Sequence, residues 1–222
     1  SELEGVAPEP GEPRFGRGRS PESVVRDQLR CLAAVDEGLG QLLAALEASG
    51  QLNRTLVIYT SDNGYLMGEH GRMDDKRWPY EPSVRVPLVV RYPALAASAT
   101  VCDRLTVNVD LAPTMLELAG VESPLPMHGS SMVPLLCNPT TAGRTAVLTE
   151  YFLEKVSPQV PSWQAVRTDE QLYVRYDDHP EWDELYDLRT DPGEERNIVA
   201  STNAETVTKL QRELDRLLDA AK

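Results

Sequence analysis

The sequence has little of what marks several large classes of protein. Its three cysteines, Cys31, Cys102 and Cys137, are odd in number and far apart. That argues against a disulfide framework or a cysteine-built zinc site, and points to buried or free thiols in a reducing compartment. Lys and Arg number 22 against 35 Asp and Glu, a net charge of −13. This argues against nucleic acid as a partner, since phosphate backbones are held by clustered cations. An anionic substrate would need locally placed cations or a metal to overcome the same repulsion. No apolar run approaches the roughly 20 residues that a membrane span requires. The opening SELEGVAPEPGEPRFGRGRS has neither a hydrophobic signal core nor an initiator Met. This fits a fragment whose true start lies elsewhere, and it leaves localisation open.

What remains is ordinary: 41% hydrophobic and 26% charged residues over 222 positions, enough for one good-sized domain or two small ones. Residues 1–20 are rich in Pro, Gly and charge and read as a loop or tail. Ser20-Pro21-Glu22 then starts a helix, with Ser20 as cap, Pro21 in the first turn and Glu22 at the positive end of the dipole. Val25, Leu29, Leu32, Val35, Leu39, Leu42, Leu43 and Leu46 recur at helical spacing up to Gly50, a suitable C-terminal stop. Such a stripe predicts a long helix packed on something large.

Thr55–Thr60 is a short β-branched apolar run, the pattern of a buried parallel strand. Helix then strand makes half of an α/β unit, and in such sheets chemistry gathers just past the strand's C-terminal end. Val86–Tyr92 reads as a second strand, with Pro87 near its start. Asp110 is placed to cap a helix through about Leu118 that Gly120 ends. Beyond residue 140, Thr145–Tyr151, Trp163–Thr168, Gln171–Tyr176 and Glu184–Leu188 read as short strands, with Asp169-Glu170 as a tight hairpin. Ala204–Ala221 is an amphipathic helix, so a small antiparallel sheet covered by one helix is expected. The implied division is a loop segment over 1–20, an α/β part over 21–139 and a small α+β part over 140–222.

Past the first strand come Ser61-Asp62-Asn63-Gly64. The Asp62 carboxylate and the Asn63 amide are oxygen donors of the kind a hard cation such as calcium takes, and too few to hold it alone. The same residues are common turn formers, and the dipeptide by itself favours a turn. The wider stretch changes that balance. It runs Ser61-Asp62-Asn63-Gly64-Tyr65-Leu66-Met67-Gly68-Glu69-His70-Gly71, then Asp75-Lys76-Arg77-Trp78-Pro79-Tyr80-Glu81 and Arg85-Val86-Pro87-Leu88. It resembles the second half of the catalytic domain of type I sulfatases, in the alkaline phosphatase superfamily. Val109–Thr114, His128-Gly129-Ser130-Ser131, Pro134-Leu135-Leu136, Leu185-Tyr186-Asp187-Leu188 and Asp191-Pro192 with Glu194 resemble later segments of the same family.

The resemblance implies an α/β fold: the C-terminal portion of an alkaline-phosphatase-like α/β/α sulfatase domain, plus a small antiparallel sheet with a C-terminal helix. It implies that Asp62 and Asn63 are calcium ligands, and that Lys76 contacts the sulfate and its leaving oxygen, where a cation would stabilise developing charge. On charge alone Lys76 would read as a solvated surface lysine. His70 can be a proton donor or substrate contact, or a structural histidine tying its turn down. Arg77 and Trp78 are candidates for lining the substrate pocket, with plain packing an alternative for Trp78. His128 and His179 are assigned no chemistry. Glu81 and Arg85 read as structural hydrogen-bonders.

The implied substrate is a carbohydrate or aryl sulfate ester. The implied reaction is attack of a metal-activated formylglycine hydrate on sulfur, loss of the alcohol and then elimination of sulfate. The formylglycine arises from Cys or Ser in a Cys-x-Pro-x-Arg motif. Cys137-Asn138-Pro139-Thr140-Thr141 begins like it but has Thr where Arg is needed, so the match is a coincidence. The nucleophile is therefore expected outside this chain, in a missing N-terminal half, and the chain alone is expected to be inactive. That half, or a second copy, is the expected partner. Two other readings stand beside this one: a phosphodiesterase or phosphonate hydrolase of the same superfamily, and a non-catalytic sulfatase-like module. Asn63 disfavours the former, since Asn instead of His at this position resembles the single-metal sulfatase arrangement and not the two-zinc site of related phosphatases.

Overall fold

A computed structural model describes residues 20–96 and 99–222 of the chain. The loop or tail expected over 1–20 lies, except for Ser20, outside the described residues. Two compact units emerge. Among the described residues, one is drawn from 20–76 and 82–96, the other from 77–81 and 99–222.

In the first unit, helix α1 spans Pro21–Ala48. The Ser20 side chain accepts from Ser23 N as the expected cap, and Gly50 takes the left-handed conformation (φ 68°) that releases the chain. The apolar stripe forms, but Val25, Leu29, Leu32, Val35 and Leu42 on it are exposed, and only Leu39, Leu43 and Leu46 are half-buried. The large surface expected against this helix is not supplied by the described residues.

Strand β1 is Val57–Thr60, and it pairs with β4, Leu88–Arg91, from Val57 opposite Arg91 to Thr60 opposite Leu88. The pairing is antiparallel, which corrects the parallel strand read from the sequence. A continuous apolar run encodes burial on two faces, not the direction of the neighbour. Arg91 also donates to Leu52 O at 2.7 Å and Asn53 Oδ1 at 2.9 Å, fixing β4 to the turn that precedes β1. Between them, β2 (Leu66–Met67) and β3 (Met73–Asp75) make a short hairpin, closed by a 3-10 turn over Glu69–Gly71. A single helical turn, α2, covers Glu81–Val84.

The second unit carries α3 (Leu111–Ala119), ended by left-handed Gly120, and the short α4 (Val133–Cys137). Asp110 does not cap α3 through its side chain as expected. It is fully buried and accepts from Val107 N, Ser130 N and both terminal nitrogens of Arg144. A carboxylate with four donors gains more from this network than from one orphan amide.

Strands β5 (Ala146–Tyr151), β6 (Trp163–Thr168), β7 (Gln171–Tyr176) and β8 (Glu184–Asp187) form an antiparallel meander in chain order, as read from the sequence. Helix α5, Ala204–Ala220, is capped by Asn203 and lies on one face. Ala146, Val166, Tyr173 and Leu185 of the sheet meet Leu210 and Leu214 of the helix there. Strand periodicity sends Trp163, Ala165, Leu172, Val174, Tyr176 and Tyr186 to the opposite face, and these are buried too. Segment 77–81 provides their cover, with Trp78 and Tyr80 buried and the Tyr80 ring edge-on to Tyr186 at 6.3 Å.

The cysteines are free, and all three are exposed rather than buried. Among the described residues no helix is long and apolar enough to cross a membrane.

Candidate functional site

The Asp62–Asn63 turn begins where β1 ends. Ser61 Oγ donates to Asn63 O at 2.8 Å, and Asn63 Nδ2 donates to Gly64 O at 2.7 Å, so the turn is held by its own side chains. The chain then passes against the backbone of α2: Gly64 N donates to Ser83 O and Tyr65 N to Pro82 O, both at 2.7 Å. A Cβ at residue 64 would stand 2.0 Å from Pro82 O, so only glycine permits this approach. The consequence is a turn held at a fixed height beyond the strand end, with Asp62 exposed and Asn63 half-buried.

Lys76 reaches back to that turn. Its Nζ donates to Asn63 Oδ1 at 2.9 Å, across thirteen residues of sequence. The Asp75 carboxylate accepts from Lys76 N at 2.7 Å and steadies the lysine's backbone. Asp62, Asn63 and Lys76 are thus gathered in the first unit. The Asn63 amide nitrogen is committed to Gly64 O, which leaves its oxygen for a cation, and here that cation is an ammonium.

The donor chemistry fits a calcium-like ion in part. Carboxylate and amide oxygens are the right atoms, but such an ion takes 6–8 of them. Among the described residues no three His, Cys, Asp or Glu side chains gather as a metal set. Among the described residues, Asp62 and Asn63 set two oxygens of this kind side by side at the end of β1.

His70 sits in the turn between β2 and β3 with a positive φ of 54°, flanked by Gly68 (φ 133°) and Gly71 (φ 64°). The Glu69 carboxylate accepts from Met67 N at 2.6 Å and helps set that geometry. A non-glycine residue in the left-handed region is uncommon and stores strain.

Arg77 and Trp78 belong to the second unit. Arg77 Nε donates to Glu154 Oε2 at 3.1 Å, and Trp163 Nε1 donates to Arg77 O at 2.8 Å. Trp78 is 5% exposed and stacked beside Tyr80 with ring planes 11° apart. Glu81 pairs with Arg167 at 2.8 Å, in keeping with a structural role. His179 stacks on Trp182 with ring centroids 3.9 Å apart. The sequence reading passed over Ser61, Asp75, Glu154 and the close approach at Gly64. Only the last had a local signal, the Asn-Gly pair.

Comparison with known proteins identifies the family. The family model described as "Sulfatase" matches residues 7–121, and that described as "N-sulphoglucosamine sulphohydrolase, C-terminal" matches residues 68–220. An N-acetylglucosamine-6-O-sulfatase of Bacteroides thetaiotaomicron is 40% identical over 202 residues, covering 89% of this chain and 35% of the relative. A protein solved in complex with its substrate D-glucosamine-2-N,6-O-disulfate superposes with a TM-score of 0.79 at 34% identity, over 85% of this chain and 39% of that one. The phosphonate monoester hydrolase of Agrobacterium radiobacter gives a TM-score of 0.72 at 27% identity, again over 85% and 39%. The chain therefore spans well under half the length of the relatives it matches. With both family models matched across the Asp62–Lys76 turn or the small sheet beyond it, this chain belongs to the sulfatase family.

Proposed function

We propose that this chain is the C-terminal part of a sulfatase acting on a 6-O-sulfated glucosamine-type sugar, with Asp62 and Asn63 as metal ligands and Lys76 as the contact to the sulfate. The observation that carries this reading is the Lys76 Nζ–Asn63 Oδ1 contact at the end of β1. It brings an ammonium onto the amide oxygen of the residue that follows Asp62, where a sulfate ester and a hard cation would share a site. The sugar class is supported by the relative acting on N-acetylglucosamine 6-sulfate and by the fold-mate bound to a glucosamine disulfate.

In this reading a calcium ion supplies positive charge against the sulfate oxygens, and the formylglycine nucleophile comes from the portion of the relatives that this chain does not span. The residues present do the rest. Asp62 and Asn63 would hold the cation; the Asn63 Nδ2 bond to Gly64 O orients the amide oxygen, and Ser61 Oγ donates to Asp62 Oδ1 at 3.4 Å. Lys76 places its ammonium by the leaving oxygen as charge develops there. With metal and sulfate ester bound, Asn63 Oδ1 would serve the metal and Lys76 would turn to the sulfate. Cys137-Asn138-Pro139-Thr140-Thr141 lacks the arginine of the family's nucleophile motif, so no turnover is assigned to the 222 residues by themselves.

The test is release of inorganic sulfate from N-acetylglucosamine 6-sulfate by the full-length protein, with calcium measured by elemental analysis. Turnover with about one bound calcium supports the reading. A protein that hydrolyses phosphonate monoesters but no sugar sulfate would establish instead the phosphonate hydrolase reading that the 0.72 TM-score keeps open. A folded full-length protein that hydrolyses neither would establish a non-catalytic module.

A further inference from the structure

Glu194 is 1% exposed, yet it is an acidic residue in the loop between β8 and α5. Its backbone is in the left-handed region (φ 56°), which L residues seldom adopt. Its Oε2 accepts from Glu81 N at 2.8 Å, while Oε1 is buried with no hydrogen-bond partner. The nearby guanidinium, that of Arg167, is committed to Glu81 Oε1. The nearby carboxylate, Glu184, is occupied with the hydroxyls of Tyr80, Tyr176 and Tyr186. Glu194 thus combines backbone strain, burial of an ionisable group and one unsatisfied oxygen, each of which opposes folding.

What it holds gives these features a use. Segment 77–81 follows Lys76 directly, and four of its contacts within the second unit bear on its path. Trp163 Nε1 donates to Arg77 O, Tyr80 donates to Glu184, and Arg167 pairs with the Glu81 side chain. Glu194 makes the fourth contact, through the Glu81 backbone N–H. The first three act on the Arg77 carbonyl and on side chains; the fourth holds the Glu81 amide itself. Glu81 is also the residue after which the chain leaves the second unit for Pro82 and Ser83, whose carbonyls receive Gly64 and Tyr65.

We propose that Glu194 is a positioning residue: its buried carboxyl fixes the Glu81 amide, and through it the backbone path from Lys76 to the α2 carbonyls that hold the Asp62–Asn63 turn. The inference rests on the proposed sulfatase site for its consequence in catalysis, but its structural claim stands apart from that site. Glu194 touches neither substrate nor metal and acts only through Glu81.

The experiment uses the full-length protein with Glu194→Ala, Glu194→Asp and Glu194→Gln, read by hydrogen–deuterium exchange and by kinetics on N-acetylglucosamine 6-sulfate. Ala removes the acceptor and Asp draws it back by one methylene. In both, amide exchange in the peptide over 77–84 is expected to rise about tenfold or more, while β6 and β7 peptides keep their protection. Gln keeps an acceptor oxygen and is expected to retain wild-type protection. In the Ala and Asp variants kcat is expected to fall about tenfold with KM changed by less than about twofold, the pattern of a displaced transition-state contact. If the Ala variant does not fold, the Asp and Gln pair decides. Unchanged exchange over 77–84 in the Asp variant overturns the proposal, as does exchange that rises equally throughout the sheet. Changed exchange in a wild-type background that turns over no sulfate ester would leave the positioning role standing and overturn the sulfatase reading alone.

Discussion

Arg144 grips both oxygens of Asp110 at 2.7 Å, thirty-four residues away in the chain, with the carboxylate 2% exposed and the guanidinium 22% exposed. The same carboxylate accepts from the backbone at Val107 and Ser130, so one side chain holds the start of α3, the Gly129-Ser130 loop and the approach to β5 together.

Removing one partner of such a pair costs more than the pair contributes, because the other charge is left buried. Asp110→Ala should therefore destabilise the protein by about 3–5 kcal/mol. The measurement is the denaturant midpoint, with Arg144→Met beside it. The Met variant should lose a comparable amount, since it leaves the more deeply buried Asp110 charge with only its two backbone donors.

Gly64→Ala is expected to break the paired contacts to Pro82 and Ser83, because the new methyl would occupy the place of the Pro82 carbonyl. The loss should be about 2–4 kcal/mol, the range for forced backbone rearrangement. Calcium affinity measured on the full-length protein should fall with it. Ala at Gly50, where φ is also positive but no atom stands within 4 Å, should cost only about 1 kcal/mol.

Lys76→Ala and Asp62→Ala should separate the two tasks assigned to the site. In the full-length protein the lysine variant is expected to keep its calcium while kcat falls about 10²–10³-fold. The aspartate variant is expected to lose the metal as well, and a chelator should reproduce its effect in wild type. Elemental analysis and sulfate release on the same preparations distinguish them.

Burial pushes the Glu194 carboxyl up to about 7, with the Glu81 and Glu184 carboxylates pushing the same way and the Glu81 amide and Arg167 opposing. Tyr186, beside it on β8, is raised as well and stays neutral throughout. A carboxyl with a raised value in the folded state binds its proton more tightly there than in the unfolded chain. Stability is then greatest below the unfolded value near 4.5 and declines as pH climbs toward 7, by about 3 kcal/mol in all, with no further change above. Glu194→Gln should flatten that slope and be the more stable protein at pH 8. Thermal melts at half-unit pH steps measure it.

The four-stranded meander was legible because alternating runs, the Asp169-Glu170 turn and the α5 stripe all point one way. The α1 boundaries followed from Ser20 and Gly50 for the same reason. Three things were not legible. Strand direction at β1 depends on a partner thirty residues on, and the apolar run carries no sign of it. Asp110 looked like a cap because caps are local, whereas Arg144 is not. The α1 stripe announced a buried face, and periodicity cannot say which chain buries it. At the site, Asp62, Asn63 and Lys76 were picked out by family resemblance, but their contact was not, since no propensity links residues thirteen apart. Glu194 was noted only as part of a motif; its work depends on Glu81, 113 residues earlier.

The chain crosses between its two units three times, after Lys76, after Glu81 and before Ala99. Neither unit is therefore a single stretch of gene. A truncation beginning at residue 99 would keep all four strands of the meander and α5 but discard Trp78 and Tyr80, baring the sheet face of Trp163, Tyr176 and Tyr186 to water. Such a piece would be sticky rather than modular. Recombination that exchanges the small sheet between sulfatases must carry its five-residue strap along, or match a foreign one to it.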